Sequence, residues 1–466
     1  MTMFATVIRT PAQIILAPLA AVMAAVDAAI RRPSLVVAAA VLLVCLPSGI
    51  QDVSGGAHVT PADLVAVAAV GVVAIRMIVG DRAATRRAWL PYAAAIASFA
   101  IATVTATDVN ESLRGFLRYT ELFVLIPVAV AMALKDRRDV LIVGGAIVGT
   151  SVFEGVVGIV QTLTQTGASY GGQYIRAIGT FGADQVLALG ALMGYGVIVT
   201  LALGLSLKGR ARIALVAAGA FLLLPLGASL SRGAWIATAL AVLVMLAVFS
   251  WRLAAGITAT AIFVVAVLSL GASSGGGSGT FDERITSIVS SNSEPDRSVK
   301  DRYALWDTAL GIWADNPVFG IGLKDFAQYR DTYAPLSLSA GSDVDDPSAG
   351  FRREPLLSAH NQYLMVLAEQ GTVGALAFGG LLTTLMVTSL RKRKTATAAA
   401  PEGDLGRFFD LAAPGIMVWT LIDFSYGDVG AGPTSVMLAI LLGLVARRML
   451  LVPATTSPAV KSDGAK

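Results

Sequence analysis

Long apolar runs constrain this chain more than any other feature. Stretches nearly free of charge recur from residue 34 to residue 447. Most hold about 17–25 residues, enough to cross the roughly 30 Å hydrocarbon core of a bilayer as a helix. Soluble domains carry about a quarter charged residues, whereas this chain has 14% charged and 55% hydrophobic. The runs lie at 34–50, 62–80, 88–105, 119–134, 139–164, 185–206, 213–230, 233–250, 253–271, 362–390, 408–424 and 433–447. The expected fold is therefore an all-α polytopic membrane protein with about twelve transmembrane helices. Residues 12–30 are also apolar, but they carry Pro18 and Asp27 and end at Arg31 and Arg32, which reads as an interfacial helix. The expected organisation is a cytoplasmic segment at 1–33, helices at 34–271, an extracytoplasmic loop at 272–361, helices at 362–451 and a cytoplasmic tail at 452–466.

Basic residues test this arrangement, because loops left in the cytoplasm are enriched in Lys and Arg. With the N-terminus inside, the inner loops hold Arg82, Arg86 and Arg87; Lys135, Arg137 and Arg138; Lys208, Arg210 and Arg212; Arg252; the run from Arg391 to Lys394; and Arg447 and Arg448. The net charge of +4 reads as this orienting signal, not as a nucleic-acid footprint. The single cysteine, Cys45, excludes an intrachain disulfide, so outer loops are held by packing.

Some arginines oppose the rule. Arg114 and Arg118 lie in "NESLRGFLRY", Arg176 in "GGQYIRAIGT", Arg232 in "SRGAW", Arg302 in "DRYALW", and Arg352 and Arg353 before the tenth run. Positive charge kept on the outer side points to an anion held at the membrane surface. The plainer reading is flanking residues that snorkel to headgroups. Arg232 fits that reading least, because its turn is too tight to send the charge elsewhere. In the same turn, Ser231 reads as a helix cap and Gly233 as a close turn.

The long loop opens on "SSGGGSG", a flexible linker. In "DRYALWDTALGIWADNP", Tyr303, Trp306, Leu310 and Trp313 recur at helical spacing, which predicts a helix packed on the rest of the loop. "GSDVDDPSAG" reads as disordered or hinge-like. Asp343, Asp345 and Asp346 resemble a metal-binding D-x-D, but no adjacent strand is expected there. Solvation or pairing with Arg352 and Arg353 is favoured over a metal. His360 is one of two histidines and is followed by Asn361, Gly371 and Gly374. On an unbroken helix Gly371 would return to within about 20° of the His360 face, roughly 16 Å deeper.

"SLSRGAW", "RYALWDTALGIWADNPVFGIGLKDF" and "HNQYLMVLAEQGTVG" together resemble the O-antigen ligase and polysaccharide polymerase superfamily of membrane glycosyltransferases. The likeness covers roughly residues 213–380, and the His360-Asn361-Gly371-Gly374 spacing favours the ligase branch. The resemblance implies a GT-C-like fold, an undecaprenyl-diphosphate-linked glycan as donor, a glycolipid or glycan acceptor, and transfer at the outer face of a bacterial inner membrane. Its conserved arginines fall on Arg232 and Arg302 and its histidine on His360, with Arg114 or Arg118 a looser correspondence. Ser231, Arg176, Asn361 and Arg353 complete the expected substrate-binding set.

The chemistry expected of such a site is consistent with these residues. A diphosphate is already a leaving group, so no nucleotide, cofactor or metal is expected. Fixed arginines can stabilise its departure, and a histidine can take the acceptor proton. A polymerase would share this site and differ in its acceptor. A transporter is disfavoured by the short loop between the sixth and seventh runs and by the few charges inside the runs.

Overall fold

The computed structural model describes residues 23, 24, 26–47, 59–79, 86–170, 175–182, 185–260, 297–336, 338, 342–346, 350–354, 356–391, 403–430 and 432–450. The expected linker at 273–279, the cytoplasmic tail, most of the interfacial helix and the second half of the run at 253–271 lie outside these residues.

The elements follow the apolar runs closely. They are α1 (Ser34–Leu43), α2 (Pro61–Val79), α3 (Leu90–Val104), α4 (Val109–Ala133), α5 (Arg137–Thr164), β1 (Ser169–Tyr170), α6 (Ala188–Ser206), α7 (Arg210–Ala228), α8 (Arg232–Phe249), α9 (Arg297–Asp315), α10 (Phe326–Tyr333), β2 (Ser342–Asp346), β3 (Gly350–Glu354), α11 (Gln362–Leu390), α12 (Gly403–Asp423) and α13 (Pro433–Leu450). Among the described residues, α2, α4, α5, α6, α7, α8 and α11 are long and apolar enough to cross a membrane. The chain is a multi-pass membrane protein.

Burial ranks these helices. The most apolar window of α6 is 83% buried, against 17% for α7, so α6 is the bundle's axis and α7 a lipid-facing flank. Around α6 pack α5, α7, α8 and α12, while α13 lies against α4. One end of the bundle is tied by basic side chains. Arg32 pairs with Asp139 at 3.1 Å, Arg447 donates to the Leu134 carbonyl at 2.6 Å, and Arg448 reaches Asp410 and the Arg391 carbonyl, each at 2.6 Å. The start of α8, the start of α11 and the end of α12 meet at the opposite end.

The helical fold class holds, but one expectation fails for the loop, where β1, β2 and β3 form a small antiparallel sheet in that order. Asp343, Asp345 and Asp346 therefore stand on a strand, not in a hinge. Register places Asp343 opposite Arg353 and Ser169 opposite Asp345, so the sheet joins the segment before α6 to the long loop. Runs of polar residues, with a single apolar one in each of β2 and β3, hid these strands from a search for apolar periodicity.

The aromatic stripe of α9 also behaves differently. Leu305, Ala309 and Ile312 are the buried residues, and with Ile321, Phe326, Leu338, Ala359 and Ala368 they form a small second core. Tyr303 and Leu310 are exposed. A helix buries one stripe, and here the aliphatic one is chosen.

The expected unbroken helix after His360 is also corrected. Asn361 is the N-cap of α11, so His360 stands outside it, and Gly371 adopts φ 63°, ψ −167°. The rings of Tyr363 and Phe378 both lie 6.2 Å from that of Phe424. On a straight helix those two residues would be about 22 Å apart, so α11 is two arms bent at Gly371. Ala368 of the first arm joins the small core, while Phe378, Leu381, Leu382 and Leu385 of the second join the main one.

The break is filled by "NPVFGIG". Ile321 and Gly322 donate to the carbonyls of Ala368 and Glu369 at 3.2 and 2.9 Å. Thr372 and Val373 donate to those of Pro317 and Val318 at 2.9 and 3.2 Å. Groups freed by the bend are thus satisfied by the loop. A Cβ on Gly371 would overlap the backbone of Val318 and Phe319.

Gly371→Ala therefore combines a left-handed conformation with a backbone clash and should cost about 1–3 kcal/mol or more. Gly379 and Gly380, where an added Cβ would meet nothing within 4 Å, should tolerate alanine. Thermal melting in detergent, read by size-exclusion fluorescence, will show a clear drop for the first variant and none for the other two.

Candidate active site

A cavity of about 300 Å³ opens between the ends of α6, α8, α12 and α13; its polar lining includes Gln185, Tyr195, Ser231, His360, Asp423, Tyr426 and Asp428. Two turns form much of its wall. In the first, Leu230 has φ 51° and Ser231 caps α8, its Oγ accepting from the Ala234 N–H at 3.4 Å. Gly233 then faces the Tyr426 ring so closely that a methyl group would overlap it. Arg232, between the two, is the first residue of α8 and is exposed.

In the second turn, His360 has φ 46° and its N–H donates to Ser358 Oγ at 3.3 Å. Leu230 and His360 each immediately precede an N-cap, and each holds a left-handed conformation that costs a non-glycine residue roughly 1–3 kcal/mol. Asn361 Oδ1 accepts from the N–H groups of Tyr363 and Leu364, both at 3.1 Å.

A short loop after α12 completes the wall. The Gln362 N–H donates to the carbonyls of Phe424 and Gly427, both at 2.9 Å. Its Oε1 accepts from the Val429 N–H at 2.8 Å and its Nε2 donates to Tyr119 Oη at 2.9 Å. Asn361 Nδ2 donates to the Ser425 carbonyl at 3.1 Å. These bonds pin residues 424–429 beside His360, and with them Tyr426 and Asp428. Asp428 Oδ2 is buried without a hydrogen-bond partner among the described residues, an expensive state that suits a site awaiting a donor.

Charge is arranged around the histidine. Burial lowers the His360 pKa from its ordinary value; the Asp428 carboxylate opposes this, and the Arg302 guanidinium reinforces it. The same Arg302 charge is felt at Asp423 and Tyr426. Burial, followed by the neighbouring Asp423 charge, raises the Tyr426 phenol. His360 is thus held neutral near pH 7 and can accept a proton.

The residues singled out in the sequence divide into two groups. Ser231 and His360 line the cavity, Asn361 and Arg232 flank the lining residues, and Arg302 reaches the site electrostatically. The others are not among the lining residues. Arg114 is exposed and pairs with Glu111 at 2.9 Å. Arg118 is held between Asp63 at 2.5 Å and Glu121 at 3.1 Å, where it ties α2 to α4. Arg176 pairs through its backbone with Ala168, donating to that carbonyl at 2.7 Å. Arg353 stands on β3.

Sequence reasoning missed Asp423, Tyr426 and Asp428. The available signal was "DFSYGDVG", which concentrates two carboxylates and a phenol in a loop whose topology puts it on the His360 side.

Residues 214–379, a little over a third of the 466, match the family model described as O-antigen ligase. No curated protein matches the chain.

With only two histidines, a His58→Gln variant isolates His360 for NMR. Its midpoint should lie below the ordinary value of about 6.5. Asp428→Asn removes the charge that raises it and should move the midpoint further down. Arg302→Gln removes a charge that lowers it and should move the midpoint up. Absence of either movement would separate that residue from the histidine.

Proposed function

We propose that this chain, which carries an O-antigen ligase domain over residues 214–379, is a GT-C-like membrane glycosyltransferase. It moves a glycan from undecaprenyl diphosphate to an acceptor hydroxyl at the outer face of a bacterial inner membrane. The observation that carries this reading is the convergence of His360, the SRGAW turn and the Arg302 charge on one cavity, from segments far apart in sequence.

In the proposed reaction the acceptor oxygen attacks C1 of the first sugar as the bond from C1 to the diphosphate oxygen breaks. The hydroxyl proton passes to the neutral His360 imidazole, and Asp428 stabilises the imidazolium that forms. Undecaprenyl diphosphate leaves with the bonding electrons. Arg232 and Arg302 hold the growing negative charge, so the step needs no metal, and single displacement inverts the anomeric centre. Arg114, Arg176 and Arg353 are proposed to meet the donor on its way in; Arg118, already bridging two carboxylates, serves the fold. A polymerase differs only in the acceptor.

Purified protein with lipid-linked glycan tests this directly. Arg232→Ala and Arg302→Ala should each lose about 100–1000-fold in transfer rate. His360→Ala should stop transfer while donor binding persists. Transfer should continue in EDTA, and full loss restored by Mg²⁺ would sink the arginine mechanism. Near wild-type transfer by Arg232→Ala would reduce that residue to a membrane anchor. Deleting the gene distinguishes the branches: long chains left on the carrier indicate a ligase, single repeat units a polymerase.

Sidedness has its own test, motivated by the basic residues gathered at the end opposite the cavity. In a Cys45→Ala background, a cysteine at Lys208 should label only from the cytoplasm and one at Thr332 only from outside. The reverse pattern would overturn an outward-facing site.

A further inference from the structure

We propose that the small core formed by α9, α10 and the first arm of α11 rests on the bilayer surface at the cavity end, seated through Leu310, Trp313, Val318 and Phe319. This inference depends on the chain spanning a membrane and not on the reaction proposed above.

The depth of these residues follows from the bend at Gly371. The second arm of α11 runs from Thr372 to Leu390, and at 1.5 Å per residue it is about 28 Å long. That matches the roughly 30 Å hydrocarbon core, so Thr372 marks the boundary of the apolar layer. The first arm cannot continue the crossing, because it bends back to bring Tyr363 and Phe378 to the same ring of Phe424.

The loop is fastened at that boundary. Thr372 Oγ1 donates to the Pro317 carbonyl at 2.7 Å and Trp313 Nε1 donates to Thr372 Oγ1 at 3.3 Å. With the two ladder bonds from Thr372 and Val373, four contacts fix Trp313, Pro317 and Val318 at this level. Yet the side chains there are not buried: Val318 is 52% exposed, Phe319 41% and Leu310 41%. Leu376, one turn further along the spanning arm, is 72% exposed, so the patch is continuous with a lipid-facing surface.

Backbone outside a helix is tolerated at membrane depth only where its polar groups are satisfied. Here the ladder to residues 368–373 satisfies them, and the freed side chains are apolar. Tryptophan and tyrosine favour the level of the headgroups. Trp306 and Tyr303, whose rings are 5.3 Å apart, continue the edge along α9. The exposed members of the α9 stripe, Tyr303 and Leu310, are thereby accounted for, with phospholipid as their partner.

Spin labels placed in a Cys45→Ala background decide this. Val318→Cys and Phe319→Cys alter exposed side chains only, so the ladder persists. In nanodiscs of phosphatidylethanolamine and phosphatidylglycerol, each label is tested for relaxation by oxygen, which concentrates in lipid, and by a water-soluble nickel chelate. Leu376→Cys is the lipid reference and Thr332→Cys, exposed on α10, the water reference. Both labels should give oxygen-to-nickel ratios near that of Leu376→Cys and well above that of Thr332→Cys. A ratio at either position equal to that of Thr332→Cys would overturn the proposal, whatever the state of catalysis.

Discussion

The exchange of backbone hydrogen bonds across the bend at Gly371 is what the rest of the cavity end depends on. A helix that breaks inside an apolar setting leaves donors and acceptors that water cannot reach, and each costs several kcal/mol if unpaired. The segment 317–322 answers the groups at 368–373 almost one for one. The bend fixes the loop, the loop carries the small core, and the core holds α9 and Arg302. On the other side, the first arm delivers Asn361 and Gln362 to the loop after α12.

The same logic accounts for the strain in the two turns beside the cavity. Leu230 and His360 hold conformations that neither would choose alone. Each is followed by a capped helix packed on its neighbours, which makes up the deficit. The result is a histidine whose backbone is fixed and whose ring feels the opposing charges of Asp428 and Arg302. Rigidity of this kind is what a reaction needs when groups from distant segments must stay within an ångström of their working positions.

Much of the fold was legible because membrane helices announce themselves by length and composition. Both bounds of α11 coincide with those of its apolar run, and Ser231 capped α8 as its position foretold. His360 was found because it was one of two histidines. What could not be read was anything that depended on satisfaction in three dimensions. Gly371 looked like a packing glycine within a helix, since nothing local says that another segment will enter there. Asp343 to Asp346 formed a strand because a partner strand came, not because the residues favour one. Arg118 seemed available for an anion until Asp63 and Glu121 took it. Asp428 was invisible because its importance comes from Gln362, which holds its neighbours on both sides.

The cavity's lining comes from residues 185 to 438, and this has a consequence for biogenesis. As the chain leaves the ribosome, the SRGAW turn emerges first, then Arg302, then His360, and last the loop that Gln362 grips. Until the loop after α12 emerges the histidine has no acid beside it, and until α13 is inserted the cavity lacks the wall that Thr434, Ser435 and Leu438 supply. A half-made chain already in the membrane therefore lacks part of the cavity's wall. Insertion of α13 is itself the step that completes the lining.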